Sequence, residues 1–398
     1  MQKKTIKDED VKGKRVLLRV DFNVPLDKKG NIEDDTRILA CLPTIMYLVD
    51  HKARIILFSH LGRPHGMVDE HLRLKPIARR LSYIIQKPVK PIRETIGPVV
   101  EQAVSEMQDG DLIMLENLRF YPGEEKNDPV FSRELARLAD LYVNDAFGAS
   151  HRTHASIVGL ADYLPCVAGI LMEKEIEHLS SLFEEPDRPF ATIMGGAKVA
   201  DKIGILENIL PKVDIVLIGG GMGATFLNGK GYGIGNSAVE PDKLELVRTI
   251  LQKAEILGVK MLLPKDVVVT DKLETSASTQ VVRVEEIPAD GIIVDIGPLT
   301  IMEFTQELKN CRTVAWNGPM GVFEIPQFSF GTKSIATVLA SLDATTVIGG
   351  GSTAEAVTQI GLAGRMTHVS TGGGASLQFL SGKILPGVAI LADKKRDS

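Results

Sequence analysis

A chain of 398 residues exceeds what one core sustains, since cores stop growing at about 250–300 residues, so two or three domains are expected. Its 44% hydrophobic and 24% charged composition excludes disorder, collagen and coiled coil. Forty-six basic against 51 acidic residues leave a net charge of −5, which gives no overall attraction to nucleic acid or an anionic membrane. The opening MQKKTIKDEDV lacks the apolar stretch of a secretory signal, and no uncharged run of about 20 residues could span a bilayer. Cys41, Cys166 and Cys311 are far apart and form no CxxC pair, so neither a disulfide framework nor a zinc site is expected. These features predict a reduced, cytoplasmic protein.

Short apolar runs alternate with helical patterns along the whole chain. The runs are Val16–Val20, Arg54–Phe58, Leu112–Leu115, Leu141–Val143, Ala191–Met194, Ile215–Ile218, Lys260–Leu263, Ile292–Ile296, Thr313–Trp316, Thr346–Ile348 and His368–Ser370. Most lack polar alternation, which predicts strands buried on both faces of a parallel sheet. Helical periodicity marks Thr36–Asp50, Arg73–Gln86, Phe131–Ala139, Asp242–Leu257 and Ile301–Lys309. The expected class is therefore α/β, with two doubly wound, Rossmann-like parallel-sheet lobes. The polar stretch EKEIEHLSSLFEE, Glu173–Glu185, predicts a helix that joins the lobes as a hinge. The expected division is 1–168 and 169–388.

Ligands of open parallel sheets sit beyond the carboxyl ends of the strands. In the first half those ends carry Asp21 and Asn23, then His60 and Arg63, then Arg119, then His151, Arg152 and His154, with Arg37 opening the first helix. A guanidinium matches phosphate or carboxylate with a planar fork of donors. One such arginine is usually a solvated loop residue. Four at successive strand ends of a net-negative chain predict a receptor for a small polyanion, with Asp21 and Asn23 suited to its hydroxyls.

In the second half the strand ends carry glycines instead: Gly195-Gly196, Gly219-Gly220-Gly221, Gly349-Gly350-Gly351 followed by Ser352 and Thr353, and Gly372-Gly373-Gly374. Glycine admits close backbone approach, and the helices that follow present free N–H groups to phosphates. Four such turns in one lobe point to a nucleotide. No GxxxxGK[ST] and no strand-linked GxGxxG with an acidic partner is present, which excludes a P-loop and argues against NAD. Lys198 and Lys202, four apart, are expected on one face of a helix start. An arginine lobe paired with a nucleotide lobe suits phosphoryl transfer between two anions. Two other classes fit such a scaffold, a nicotinamide-dependent dehydrogenase and a non-enzymatic, two-lobed anion-binding protein. The missing fingerprint speaks against the first, and the missing signal and the glycine turns speak against the second.

The motifs RVDFNVP (Arg19–Pro25), SHLGRP (Ser59–Pro64), ENLRF (Glu116–Phe120), NDAFG (Asn144–Gly148), SHRTHAS (Ser150–Ser156), GGAKVADKI (Gly195–Ile203), WNGPMGVFE (Trp316–Glu324) and STGGGAS (Ser370–Ser376) together resemble the phosphoglycerate kinase family over essentially the whole chain. The resemblance implies a monomeric glycolytic enzyme that exchanges a phosphoryl group between 1,3-bisphosphoglycerate and ADP, yielding 3-phosphoglycerate and ATP, with Mg2+ on the nucleotide. It implies phosphoglycerate binding by Asp21, Asn23, Arg37, His60, Arg63, Arg119 and Arg152. It places Arg37, Lys198, Lys202 and the amides of Gly372 and Gly373 around the transferred group. Lys202, Ile293, Asn317, Glu324, Gly350, Gly351, Ser352 and Thr353 fall at nucleotide positions, Glu324 toward the ribose. The segment 389–398 is expected to return to the first lobe. Two positions depart from the family pattern. Ser352, a candidate metal contact, stands where an aspartate is usual, and Ile293 where a glycine is usual; a member of reduced activity is the corresponding alternative.

Overall fold

The computed structural model describes residues 2–394 and divides into two compact units. The first runs to Glu177 and resumes at Ile384; the second is His178–Lys383. The first is built on β1 (Arg15–Arg19), β2 (Arg54–Phe58), β3 (Val89–Pro91), β4 (Leu112–Met114), β5 (Leu141–Asn144) and β6 (Cys166–Ala168). These pair in parallel in the order β3-β4-β2-β1-β5-β6. The winding direction reverses between β1 and β5, which opens a ligand crevice beyond their carboxyl ends. The helix Thr36–Asp50 has the expected bounds and buries Ile38, Cys41, Ile45 and Leu48, the i, i+3, i+4 stripe of a core-facing helix. Arg73 and Leu74 lie outside the next helix, Lys75–Ile85, because Glu116 of the ENLRF motif takes Arg73 Nη1 at 2.8 Å and Leu74 N at 3.0 Å.

The second unit contains β7 (Phe190–Met194), β8 (Ile215–Ile218), β9 (Lys260–Leu262), β10 (Asp266–Thr270), β11 (Thr279–Arg283), β12 (Ile292–Ile296), β13 (Thr313–Asn317), β14 (Thr345–Gly349) and β15 (His368–Val369). Six of them form a parallel sheet, β15-β14-β13-β7-β8-β9, the doubly wound order whose switch point lies between β7 and β13. One expectation is corrected here. The run Ile292–Ile296 belongs to a separate three-stranded sheet, β11-β10-β12, in which β10 pairs antiparallel with both neighbours. Its apolar continuity reflects a β-bulge: Val268 pairs with Asp295 and Val269 with Ile293, leaving Val294 as the extra residue and breaking the alternation that normally betrays an antiparallel strand.

The joining helix is Ile170–Glu184, and the boundaries differ from the expected 168 and 389. Its first turn is tied into the first unit: Ile170 N donates to Thr44 Oγ1 at 2.8 Å, and Met172 N to Asp145 Oδ1 at 3.1 Å. The return begins before 389, because Asn144 Nδ2 donates to Gly387 O at 2.9 Å and Gly387 N to Ser150 O at 2.8 Å. Residues 395–398 of the expected return lie outside the described residues.

Asp145 caps this helix in place of its neighbour Gly169, where a Cβ would lie 2.1 Å from Asp145 Oδ1. The carboxyl is fully buried, and burial pushes it up to about 7 against the pull of nearby donors, Thr44 first among them. A folded-state pKa raised in this way stabilises the protonated fold at low pH, and the benefit is lost as pH rises through about 7. Asp145→Asn keeps the acceptor for Met172 and removes the ionisation. The variant is expected to be more stable than the parent by ~2 kcal/mol at pH ~8, with no advantage left near pH ~4. Urea midpoints at the two pH values check this; an equal difference at both would refute it.

Candidate active site

All the arginine-bearing ends of the first sheet lie along one edge, because its strands are parallel. Asp21, just past β1, anchors the cluster: Arg37 Nη1 donates to its Oδ2 at 2.8 Å, and His60 Nδ1 lies 3.9 Å from its Oδ1. Asn23 Oδ1 accepts from Gly62 N at 2.8 Å, and Arg119 Nη1 donates to Gly62 O at 2.6 Å, so the loop after β2 is held from both sides. Arg119 Nε forms an ion pair with Glu125 Oε1 at 3.3 Å and, among the described residues, is buried without a hydrogen-bond partner. Arg152 is half-buried, and its charge acts on Asp21, Arg19, Arg63 and Arg37. The structure thus brings Asp21, Asn23, Arg37, His60, Arg63, Arg119 and Arg152 to one edge of one sheet.

Sequence reasoning missed what stands behind these residues. Arg19, the last residue of β1, is 1% exposed and donates through Nε to Ser156 Oγ at 2.9 Å, with Nη2 3.2 Å from His60 Nδ1. Ser156 donates its hydroxyl and its amide to Glu124 at 2.6 and 2.9 Å, and His154 Nδ1 lies 3.7 Å from the same carboxylate. Burial works to raise the Glu124 pKa, but His154, Arg19 and Ser156 outweigh it and hold the carboxyl below its ordinary value. His60 is pushed well below 6.5, first by burial and then by Arg19, Arg152 and Arg37. It is therefore neutral. With the Arg19 guanidinium donating to Nδ1, the ring proton sits on Nε2, available to an anionic oxygen. An arginine inside an otherwise apolar run was the one available signal for Arg19; Glu124, in the loop-like YPGEEKND, carried none.

In the second unit the switch point is closed by backbone. Gly195 N donates to Asn317 O at 2.9 Å and Gly196 N to Pro319 O at 2.8 Å. A Cβ at Gly195 would lie 2.2 Å from Pro319 O, and one at Gly318, whose φ is +97°, 2.1 Å from Gly195 O, so neither position accepts a side chain. Asn317, 2% exposed, accepts from Lys202 Nζ on Oδ1, and its Nδ2 is buried without a partner among the described residues. Burial pushes the Lys202 amine down to about 8, against the pull of Asp201.

The two lysines do not share a helix face. The helix starts only at Ile203 with Lys202 as its buried N-cap, whereas Lys198 is exposed on the preceding loop. Glu240 accepts from the amides of Val199 and Ala200, which pins this loop just ahead of the helix. Gly350 caps the helix Gly351–Gln359 at φ +87°, with nothing near a Cβ at Gly351 or Gly373. Gly372 N is held by Ser370 Oγ at 3.1 Å. Thr353 faces inward: it is fully buried and its hydroxyl accepts from Gly318 N at 2.6 Å, so it braces the turn rather than presenting an oxygen to a ligand.

Beside these turns lies a cavity of about 500 Å³, with walls that include Gly196, Gly221, Leu273, Ile292, Ile293, Val294, Val322, Glu324 and Ser352. Its apolar side suits a planar base, and Glu324 and Ser352, both exposed, are polar groups on its wall. Ile293 N is tied to Ser237 Oγ at 2.9 Å. Among the described residues no three His, Cys, Asp or Glu gather to hold a metal by themselves, and no helix is long and apolar enough to cross a membrane.

The profile of the phosphoglycerate kinase family matches residues 6–383. Curated phosphoglycerate kinases of Pelotomaculum thermopropionicum and Dictyoglomus turgidum are each 55% identical, over 394 and 398 residues, covering 99% of this chain and all of the relative. The solved phosphoglycerate kinase of Coxiella burnetii is similar at a TM-score of 0.88 and 39% identity, covering 98% of both chains. That of Pyrococcus horikoshii is similar at 0.85 and 32%, covering 97% of this chain and 98% of the other. Full-length matches of this identity leave one conclusion: the chain belongs to the phosphoglycerate kinase family.

Proposed function

We propose that the enzyme performs its family's reaction, reversible phosphoryl transfer between 1,3-bisphosphoglycerate and ADP to give 3-phosphoglycerate and ATP, with the residues gathered above. The observation that carries the assignment is the convergence of Arg37, Arg152 and neutral His60 on Asp21, with Arg63 and Arg119 at the same sheet edge. A small polyanion is the ligand that such a cluster stabilises. Asp21 and Asn23 supply oxygens for its hydroxyl. The nucleotide is read into the cavity of the second unit, with its base on the apolar wall at Ile293, its ribose toward Glu324, and its phosphates toward the Gly350-Gly351 turn, Asn317 and Lys202.

In the ATP-consuming direction the nucleophile is a carboxylate of 3-phosphoglycerate, which is already ionised, so no general base is needed. The protein's work is to position the reactants, exclude water and neutralise charge. The groups read into this role are Arg37 of the first unit and Lys198, Lys202 and the Gly373 amide of the second, the Gly372 amide being already held by Ser370 Oγ. Magnesium would come with the nucleotide and supply charge neutralisation on its phosphates, and Ser352 would be the protein residue to meet it, through an oxygen without charge. The same reading has a cytoplasmic monomer acting on small molecules, with neither nucleic acid nor membrane as partner. A coupled assay with 3-phosphoglycerate and magnesium-ATP tests the reaction; no turnover with a folded protein refutes it.

Ser352 gives a sharper test. Without a carboxylate there, ADP is held by amides, helix dipole and lysine acting on its phosphates, so its affinity depends little on the metal. Ser352→Asp is expected to weaken metal-free ADP and to strengthen magnesium-ADP, each by ~1 kcal/mol, the worth of one partly solvated charge contact. Titration calorimetry with and without magnesium measures both. An unchanged magnesium dependence would show that Ser352 does not meet the metal.

A further inference from the structure

Asp295 is 2% exposed, stands directly after the bulged Val294 in β12, and is not itself part of the cavity wall. Its Oδ2 accepts from Gly331 N at 2.7 Å and its Oδ1 from Ile296 N at 2.9 Å. Two glycines from elsewhere in the chain close on the carboxylate. A Cβ on Gly331 would lie 2.3 Å from Oδ1, and one on Gly321 would lie 2.5 Å from the same atom. Gly321 is itself cavity wall, as are Val322 and Glu324 after it and Ile292, Ile293 and Val294 before Asp295. Val322 N donates to Val294 O at 2.9 Å, so the two walls also meet directly. The bulge accounts for this arrangement, since an extra residue re-aims the side chains that follow it. Here three successive residues of β12 border the cavity while Asp295 is kept behind them.

We propose that Asp295 is a positioning residue for the nucleotide: by holding Gly331 and seating Gly321, its carboxylate sets the separation of the two cavity walls, β12 and Gly321–Glu324. A wall that begins at a glycine has no side chain of its own to lock it. Its place is decided by what it packs against, and that is a carboxylate fixed by amide donors. Glu324, three residues further on, inherits its position from the same seat. The inference rests on the cavity being the nucleotide site.

Two variants separate this role from general support. Gly331→Ala lies in the helix Phe330–Ser341, outside the cavity wall, and drives a methyl into Asp295 Oδ1. Asp295→Asn presents an amide donor to one of the two N–H groups and so leaves that hydrogen bond unmade. Each is expected to raise the dissociation constant of magnesium-ADP by about tenfold or more, because the wall at Gly321–Glu324 is shifted from the place the nucleotide requires. The dissociation constant of 3-phosphoglycerate and the kcat at saturating nucleotide are expected to stay within about twofold. Calorimetric titration of both ligands on both folded variants reads this out. Unchanged magnesium-ADP affinity in either folded variant overturns the proposal, as does equal weakening of both ligands, which marks general damage. If one variant fails to fold, the other decides. If the parent protein binds 3-phosphoglycerate but not magnesium-ADP, the nucleotide reading of the cavity fails first, and this inference with it.

Discussion

Arg37→Ala is expected to lower kcat by roughly 10³-fold or more while weakening phosphoglycerate binding far less, the size of effect seen when an arginine is removed from a phosphoryl clamp. Arg37 opens the helix Thr36–Asp50 and keeps only one of its terminal nitrogens on Asp21, at 2.8 Å. Its side chain is 39% exposed, and among the described residues the rest of the guanidinium fork has no partner, so it can meet a second anion. Ground-state binding is shared among several cations at this edge, and losing one of them is partly compensated. Charge on the phosphoryl group in flight is met by fewer groups, so an interaction made there appears in kcat. The substitution leaves the turn into the helix untouched, since Thr36 N donates to Asp34 Oδ1 at 2.7 Å without using the Arg37 side chain. Steady-state kinetics decide. Normal turnover with only a raised KM would make Arg37 a ground-state ligand and nothing more.

Lys202→Met carries the second large effect. The amine is buried against Asn317 and depressed to about 8, so it is a charge held out of water at some cost to the fold. A cation with few solvent competitors acts strongly on a phosphate. Its removal is expected to reduce kcat/KM by about 10²-fold or more, and methionine fills the same space so that the loop survives. The pH dependence has a definite sign. A lysine lowered to about 8 loses its charge as pH rises through that value, so affinity for ADP in the parent protein falls above pH ~8. The methionine variant has nothing to titrate and shows no such fall. Binding curves between pH ~7 and ~9 on both proteins test this; a parallel decline in the two would assign the titration to another group.

The parallel sheets were legible in the sequence because strands buried on both faces write themselves as unbroken Val, Ile and Leu runs. The shorter strands were not. β3 is VKP with two exposed residues, β6 is only CVA, and β11 is TQVVR with four of five positions exposed; each is a strand by virtue of its neighbour. Arginine at strand ends could be counted, so the cationic edge of the first sheet was readable as a list. Its internal order was not, since it depends on Arg19, Ser156 and Glu124, which meet across more than a hundred residues of chain. Lys198 and Lys202 show the same limit at short range. Their spacing suits a helix, yet Lys198 lies on a loop whose following amides are held by Glu240, some forty residues on. The buried carboxylates Asp145 and Asp295 were invisible for a related reason. What buries them is the absence of a side chain at Gly169, Gly321 and Gly331, and sequence does not say where a distant glycine will stand.

The division of the chain has a consequence for the order in which the protein is made. The second unit is one uninterrupted stretch, His178–Lys383. The first needs both ends of the sequence: Ala392 N donates to Cys166 O at 2.9 Å, Lys4 N to Ala392 O at 2.7 Å, and Gly387 stands between Asn144 and Ser150. A ribosome emits residues from the amino terminus, and domains ordinarily finish in that order. Here the second unit has every residue it needs while the opening unit still waits, with the loop that carries His151, Arg152 and His154 lacking the segment that braces its base. The half that starts first is the half that finishes last.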